Sequence, residues 1–393
     1  MLLHSLKLNN LLSYGPDTEV IDLRPLNVII GPNGSGKSNL LEGIALLQAT
    51  PGELVLPIRE GGGIQNWLWK GNGKKTPVAT LEAVVENPYH SIAPLHYRLA
   101  FTEANHRLQI TDERIENEKP DSAHTQPAVY YGYERNLPVL TLFGDQREQK
   151  RYLKREDIDP ERSILAQRKD PEQYPEITYL GETFAKIRLY REWSFGRYTP
   201  SRLAQKPDLP NDFLEEDGRN LGLVLNRLRR EPDVRAKLVE ALQLLYADID
   251  DFDVHIEGGT VQVFLYEGRF SIPATRLSDG TLRYLCLLAI LCHPTPPPLV
   301  CIEEPELGLH PDILPTIAEL LLEASQRGQL IVTTHSSILI DALTPTPEAV
   351  LVCEKHAGST TMRRLDEASL ALWLQKYSLG QLWRQGELGG NRW

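Results

Sequence analysis

The apolar positions of this chain change their spacing several times, and each change predicts a different element. At the N-terminus, "LLHSLKLNN" and "TEVIDL" alternate apolar and polar residues, the period of strands with one covered face. The run "LNVIIG" is largely apolar and β-rich, which predicts a short buried strand. In "SGKSNLLEGIALLQA" the spacing becomes helical, with Leu40, Leu41, Ile44 and Leu47 on one face. Residues 50–75 lose both periods. There "EGGGIQNWLWKGNGKK" predicts a loop or ribbon that packs its tryptophans, with base stacking by Trp67 and Trp69 as the functional alternative. Alternation returns over residues 79–142, in "ATLEAVVEN", "HYRLAFTE" and "HRLQIT", the last two joined by "AN". This predicts an antiparallel meander.

The second half has another rhythm. "DQREQKRYLKREDIDPERS" mixes charges and reads as an exposed stretch. In "DGRNLGLVLNRLRREPDVRAKLVEALQLLY", Leu221, Val224, Leu225 and Leu228 fit one helix face. A strand pair, "TVQVFLYEGRFSI", follows. Then come a helix (281–292), a strand (299–302), a helix (311–326), a strand (330–333) and the strand "AVLVCEK". Strands alternating with helices predict an α/β fold: a mostly parallel sheet flanked by helices, with an antiparallel β subdomain and a helical lobe. The expected divisions of one domain, 1–393, are 1–50 (hairpin and glycine-rich loop), 51–142 (β-rich insertion), 143–255 (helical lobe) and 256–393. No repeat or long heptad run is present.

Composition narrows the picture. The 393 residues are 41% hydrophobic, enough for a sizeable core, and the formal charge of -11 argues against a basic whole surface. Cys286, Cys292, Cys301 and Cys353 lie in or beside apolar segments without a C-x-x-C pair, which predicts reduced core thiols; Cys292-His293 lacks a second ligand cluster. The N-terminus lacks a signal-peptide layout, and "YLCLLAILC" is too short to span a bilayer. The expectation is a cytoplasmic protein with no membrane partner.

"GPNGSGKS" then supplies chemistry. It fits G-x-x-x-x-G-K-[ST], the P-loop, and sits between an apolar strand and an amphipathic helix as that motif requires. Gly31, Pro32, Asn33, Gly34, Ser35 and Gly36 form a loop whose backbone N–H groups can surround phosphate. Lys37 would reach the β- and γ-phosphates, Ser38 would ligate Mg²⁺, and Asn39 continues the cradle into the helix. "LVCIEEPELGLHP" completes the constellation. Its two adjacent acids end an apolar run, where like charges need neutralising. Glu303 suits the metal, as the strand-end carboxylate of a P-loop NTPase. Glu304, projecting the other way along an extended chain, suits the attacking water as general base. In "RLSDGTLRYLCLLAIL", Ser278 can cap a helix and Gly280 allows close approach. One P-loop cannot use a second phosphate-seeking N-terminus, so this one is read as facing the nucleotide of a second protomer.

The order of these motifs resembles ABC-type ATPases. Leu277 to Thr281 match the L-S-G-G-Q signature, with Asp279 and Thr281 departing from it. His335 in "LIVTTHSS" resembles the switch histidine, Leu307 to His310 the D-loop, and Gln167 in "SILAQRKD" the Q-loop glutamine. Glu303 departs from the family's usual Asp. "LHSLKLNNLLSY" and "IDLRPLNVIIGPNGSGKSNLLEGI" are similar to the RecF/SMC-like branch, and the motifs with "LGQLWRQGELGGNRW" resemble its short AAA-21-type ATPases. The resemblance implies a P-loop NTPase fold, ATP and Mg²⁺ as cofactors, and an ATP-dependent head-to-tail homodimer. Each composite site would join Lys37, Ser38, Gln167, Glu303, Glu304 and His335 of one protomer to Ser278 and Gly280 of the other, with Gln167 near metal and water. It implies work in DNA repair or phage defence. A transporter's nucleotide-binding subunit and a nucleotide sensor with little turnover are the alternatives. The related overcoming-lysogenization-defect nucleases append a nuclease domain. Here Asp366, Glu367 and Glu387 are scattered, so the expectation is no cleavage by this chain but a separate nuclease-like effector. DNA is open as a ligand along residues 147–155, against a solvated face, and at Arg227, Arg229 and Arg230, against the cations that any helix C-terminus favours.

Overall fold

A computed structural model describes residues 1–71, 76–89, 93–120, 125–135, 137–143, 148–194 and 196–390. β1 (Leu3–Asn9) and β2 (Ile21–Asp22) pair antiparallel, and β3 (Leu26–Ile30) leads through the glycine-rich loop into α1 (Lys37–Ala49). Two short helices, α2 (Val55–Glu60) and α3 (Ile64–Trp67), precede six antiparallel strands. These are β4 (Ala79–Val85), β5 (Leu95–Ala104), β6 (Arg107–Asn117), β7 (Val129–Glu134), β8 (Leu137–Phe143) and β9 (Glu148–Tyr152). Then come α4 (Ile164–Gln167), α5 (Pro175–Phe184) and β10 (Arg188–Tyr190). The helical lobe holds α6 (Leu221–Leu228) and α7 (Pro232–Leu245), beside the three-stranded sheet of β11 (Asp251–Glu257), β12 (Thr260–Glu267) and β13 (Phe270–Pro273). The chain closes with α8 (Asp279–Leu291), β14 (Leu299–Glu303), α9 (Leu314–Ser325), β15 (Gln329–Thr333), α10 (Ser337–Ala342), β16 (Val350–His356), β17 (Ser359–Arg364), α11 (Glu367–Leu374) and α12 (Leu379–Gln385).

The central sheet has the order β10-β14-β15-β3-β16-β17, parallel except for β17. Its apolar runs are explained by burial on both faces. Val28 and Ile30 join one core with Val300, Ile302 and Val332, while Ile29 joins another with Leu299, Cys301 and Ile331. A strand covered on both sides cannot alternate apolar with polar residues.

The β-rich region differs from the expectation of an insertion beginning at residue 51. Its strands extend β1 in one eight-stranded sheet, β2-β1-β4-β5-β6-β7-β8-β9, so the N-terminal hairpin is part of it. The hairpin expected at "AN" forms, but its turn lies one residue later: Ala104 still pairs Arg107, and Asn105 and His106 take positive φ of 52° and 63°. Trp67 is 1% exposed within the core under this sheet, which corrects the stacking alternative for that residue. All four cysteines are free and buried. His293 Nδ1 accepts the Thr295 N–H, and its ring lies against Phe213.

The patch at Arg227, Arg229 and Arg230 is largely neutralised: Arg227 pairs with Asp212 and Arg229 with Asp253. Pairing removes much of the field a phosphate backbone would need. In the other basic stretch, Lys150 meets Glu134 at 2.6 Å, and Arg151 donates to the Tyr174 hydroxyl; Arg147 lies outside the described residues. Among the described residues, no helix is long and apolar enough to cross a membrane.

One buried acid ties the β-sheet to the segment before the helical lobe. The carboxylate of Glu113 on β6 accepts the Tyr97 hydroxyl (2.8 Å), the Ser163 hydroxyl (2.5 Å) and the Ile164 N–H (2.8 Å) at the start of α4. Burial pushes its carboxyl up to about 7, against the pull of these donors. A folded value above the ordinary one favours the neutral form. The associated stability is present below about pH 4.5 and lost as pH rises through 7. Between pH 5 and 8 this group should therefore remove roughly 2–3 kcal/mol of stability. Urea unfolding at both pH values should show that loss in the wild type and not in Glu113→Gln.

Candidate functional site

Four strands of the central sheet end at one level, because their parallel register is continuous. Glu303 is opposite Thr333, Thr333 opposite Ile29, and Tyr190 opposite Ile302. The residues just past these ends form the site, as parallel α/β sheets generally arrange.

From β3 comes the glycine-rich loop. Gly36 has φ 115°, and a Cβ there would lie 2.2 Å from Thr360 Oγ1, so the loop can turn against β17 only with glycine. Thr360 also donates to the Ser35 carbonyl, locking the turn. The Lys37 ammonium is buried and folds back onto the carbonyls of Gly31 (2.8 Å) and Pro32 (3.2 Å). Desolvation lowers its pKa, while Cys353 and the acids Glu304, Glu303 and Glu306 oppose that shift. Asn39 turns aside from the cradle: its amide donates to Ser13 of the N-terminal hairpin at 2.7 Å.

From β14 come the two acids. The Ser38 hydroxyl donates to Glu303 Oε1, joining the loop to the strand end across 265 residues of chain. Glu304 does not continue as extended chain. Its φ is 47°, a left-handed conformation that costs a non-glycine residue on the order of 1–3 kcal/mol. Its N–H bonds the Thr333 carbonyl at 2.9 Å and its carbonyl takes Arg283 of α8, so the neighbours impose the turn. The turn brings Glu304 Oε1 to 3.5 Å from His335 Nε2. Burial, then the charge of Lys37, lowers the His335 pKa, so the ring is neutral at neutral pH. Glu306 fixes the loop after β15, accepting from Thr334 Oγ1 (2.8 Å) and the His335 N–H (2.7 Å).

Gln167 is not brought to this site. Its amide nitrogen donates to the carbonyls of Arg162 (2.7 Å) and Asp159 (3.2 Å), and its oxygen accepts the Asp159 N–H, closing a local turn. The strand beside β14 delivers Arg191 instead. Its Nε donates to Glu303 Oε2 at 3.3 Å and its Nη2 to Glu42 at 2.9 Å. Trp193 donates to the Glu303 carbonyl at 3.1 Å and lies under the Arg283 guanidinium, 4.4 Å from its ring centroid. Sequence reasoning missed Arg191, Trp193 and Arg283. A three-residue edge strand has no readable period, and only the sheet order puts it beside Glu303.

The signature stretch is built as a separate surface. Ser278 caps α8, its hydroxyl accepting the Thr281 N–H at 3.0 Å. Gly280 packs so closely that a Cβ would lie 2.6 Å from the Gly308 carbonyl, uniting this turn with residues 307–310. Asp279 accepts the Gly196 N–H (3.2 Å) and the guanidinium of buried Arg202, which also holds the Leu277 carbonyl. Its carboxylate therefore has a structural task that glycine could not perform. Among the described residues, no hydrogen bond joins Ser278 or Gly280 to residues 31–38 of the same chain.

The donor set fits Mg²⁺ with a nucleotide phosphate: a hydroxyl in the first turn of α1 against a carboxylate at the end of β14, a buried ammonium resting on loop carbonyls, and a loop of positive-φ glycines.

The model of a family described as "AAA domain, putative AbiEii toxin, Type IV TA system" matches residues 26–341. No curated relative matches the chain. Among solved structures, an Smc head bound to the C-winged helix domain of ScpA is 15% identical, covers 93% of this chain and 99% of its own, and has a TM-score of 0.58. An Smc head with an extended coiled coil bound to the C-terminal domain of ScpA, from Pyrococcus furiosus, is 14% identical, with 95% and 98% covered and a TM-score of 0.56. An Smc head with a coiled coil and joint from Pyrococcus yayanosii is 12% identical, with 96% and 99% covered and a TM-score of 0.53. At these identities the likeness is one of fold.

Gly36→Ala should destabilise the protein by about 1–3 kcal/mol through positive-φ strain and the clash with Thr360. Urea titration against the wild type measures the loss.

Proposed function

Because this chain belongs to that family of AAA domains and has the P-loop fold of an Smc head, we propose that it hydrolyses ATP with Mg²⁺ in a site shared between two protomers. The observation that carries the reading is the Ser38–Glu303 pair, with Glu304 and His335 beside it. Bound Mg²⁺–ATP supplies the phosphoryl group and neutralises its developing charge. Ser38 and Glu303 would hold the metal. The N–H groups of residues 31–36 cradle the phosphates, and Lys37 turns from its loop carbonyls toward them. Glu304 accepts a proton from the attacking water as general base. Neutral His335, held by Glu306, orients Glu304 and that water.

Ser278 and Gly280 complete the site of the facing protomer in a head-to-tail homodimer. What supports this is the capped N-terminus of α8, tied to Gly308 and not to its own P-loop. The cycle drives a separately encoded effector in DNA repair or phage defence. The family description itself names only a putative toxin of a type IV toxin–antitoxin system. Protein partners are favoured over DNA at the end of α6, where Arg227 and Arg229 are paired with acids.

Glu304→Gln should keep ATP binding and lose turnover by about 10²–10⁴-fold, as expected for a lost general base. Glu303→Gln should weaken Mg²⁺-dependent binding itself. Calorimetric titration with and without Mg²⁺ separates the two, and identical profiles would reject the division of roles.

With ATP, the Glu304→Gln protein should sediment as a dimer, and without nucleotide as a monomer. Adding Ser278→Arg should abolish that shift while single-site ATP binding persists. A dimer indifferent to both would reject the shared site.

A further inference from the structure

The level of the sheet at which Glu303 meets Ser38 also carries a cation. Tyr190 pairs Ile302, so Arg191 leaves β10 level with Glu303. The Glu303 carboxylate is divided between two partners: Oε1 takes the Ser38 hydroxyl, and Oε2 takes Arg191 Nε. Arg191 Nη2 reaches Glu42 on α1, one turn after Ser38. These two bonds use two of the five N–H groups of a guanidinium, and the side chain remains 23% exposed.

A tie for the edge strand is the plain explanation, but other groups already perform that task. Gln48 donates to the Ile187 carbonyl and Glu216 accepts the Leu189 N–H, each within 3 Å, and Trp193 holds the Glu303 carbonyl. Arginine at this place offers what a tie does not need: a permanent charge with a planar fork suited to phosphate, next to the hydroxyl and carboxylate that frame the terminal phosphate.

We propose that Arg191 is a nucleotide-recognition residue, donating to the terminal phosphate of ATP while it holds Glu303 toward Ser38. The proposal rests on reading residues 31–38 as an ATP site, and it deepens that reading. Its consequence is that part of the preference for ATP over ADP comes from a fixed protein charge. That part remains when the metal is chelated. A neutral residue at 191 would leave discrimination to Mg²⁺ and the loop alone.

The test is calorimetric titration of the whole chain with ATP and with ADP, each in Mg²⁺ and in EDTA. Wild type, Arg191→Gln and Arg191→Lys are compared, with thermal melting to verify folding. In EDTA, wild type should prefer ATP to ADP. Arg191→Gln should weaken ATP about 10- to 100-fold, the range for a hydrogen bond to a charged group, and ADP by less than about threefold. Arg191→Lys should lie between. Equal weakening of both nucleotides marks a merely structural tie and overturns the proposal, as does no change in either. If Arg191→Gln melts below the assay temperature, Arg191→Lys decides by the same comparison. A wild type that binds neither nucleotide overturns the ATP reading and this proposal with it, whereas binding indifferent to Arg191 overturns this proposal alone.

Discussion

A carboxylate at the end of a strand buried on both faces must be neutralised, and much of this molecule is arranged around that requirement. Glu303 follows four fully buried residues of β14. Left alone there, its charge would cost several kcal/mol. Ser38 reaches it from β3 and Arg191 from β10, while Trp193 takes its carbonyl. Three chain segments far apart in sequence thus meet at one side chain. Because the contacts from Ser38 and Arg191 are hydrogen bonds to a charged group, each also fixes geometry.

The second acid obeys a different constraint. Glu304 is held in a left-handed turn by Thr333 on one side and Arg283 on the other. Strain of this kind persists only where neighbours impose it. Arg283 belongs to α8, whose first turn carries Ser278, and it stacks on Trp193, two residues past Arg191. The surface read as meeting another protomer and the pair of acids are therefore joined by one cation and one indole. Farther along the chain, Gly196 and Arg202 bind Asp279, so the same stretch that meets Glu303 through Arg191 also meets the turn after Ser278.

Several parts of this arrangement were readable in the linear chain for a physical reason. The P-loop, the apolar strands with their terminal acids and the capped start of α8 are local patterns. Phosphate cradling needs consecutive residues, a strand covered on both faces needs an unbroken apolar run, and a cap needs a hydroxyl three residues before the N–H that it accepts. The α/β rhythm of the last third and the existence of the β5–β6 hairpin were determined the same way. What only the tertiary structure decided involves pairs with no sequence relation. Gln167 fitted a short string, yet its amide closes its own turn, while Arg191, on a strand too short to show a period, stands at Glu303 because β10 pairs with β14. Glu304 was expected to extend and instead turns, since the groups that turn it come from β15 and α8. Arg227 and Arg229, at the end of α6, were candidates for an anion patch until folding brought Asp212 and Asp253 against them. Charge along a chain is local, but its compensation is set by whichever acids the fold carries alongside.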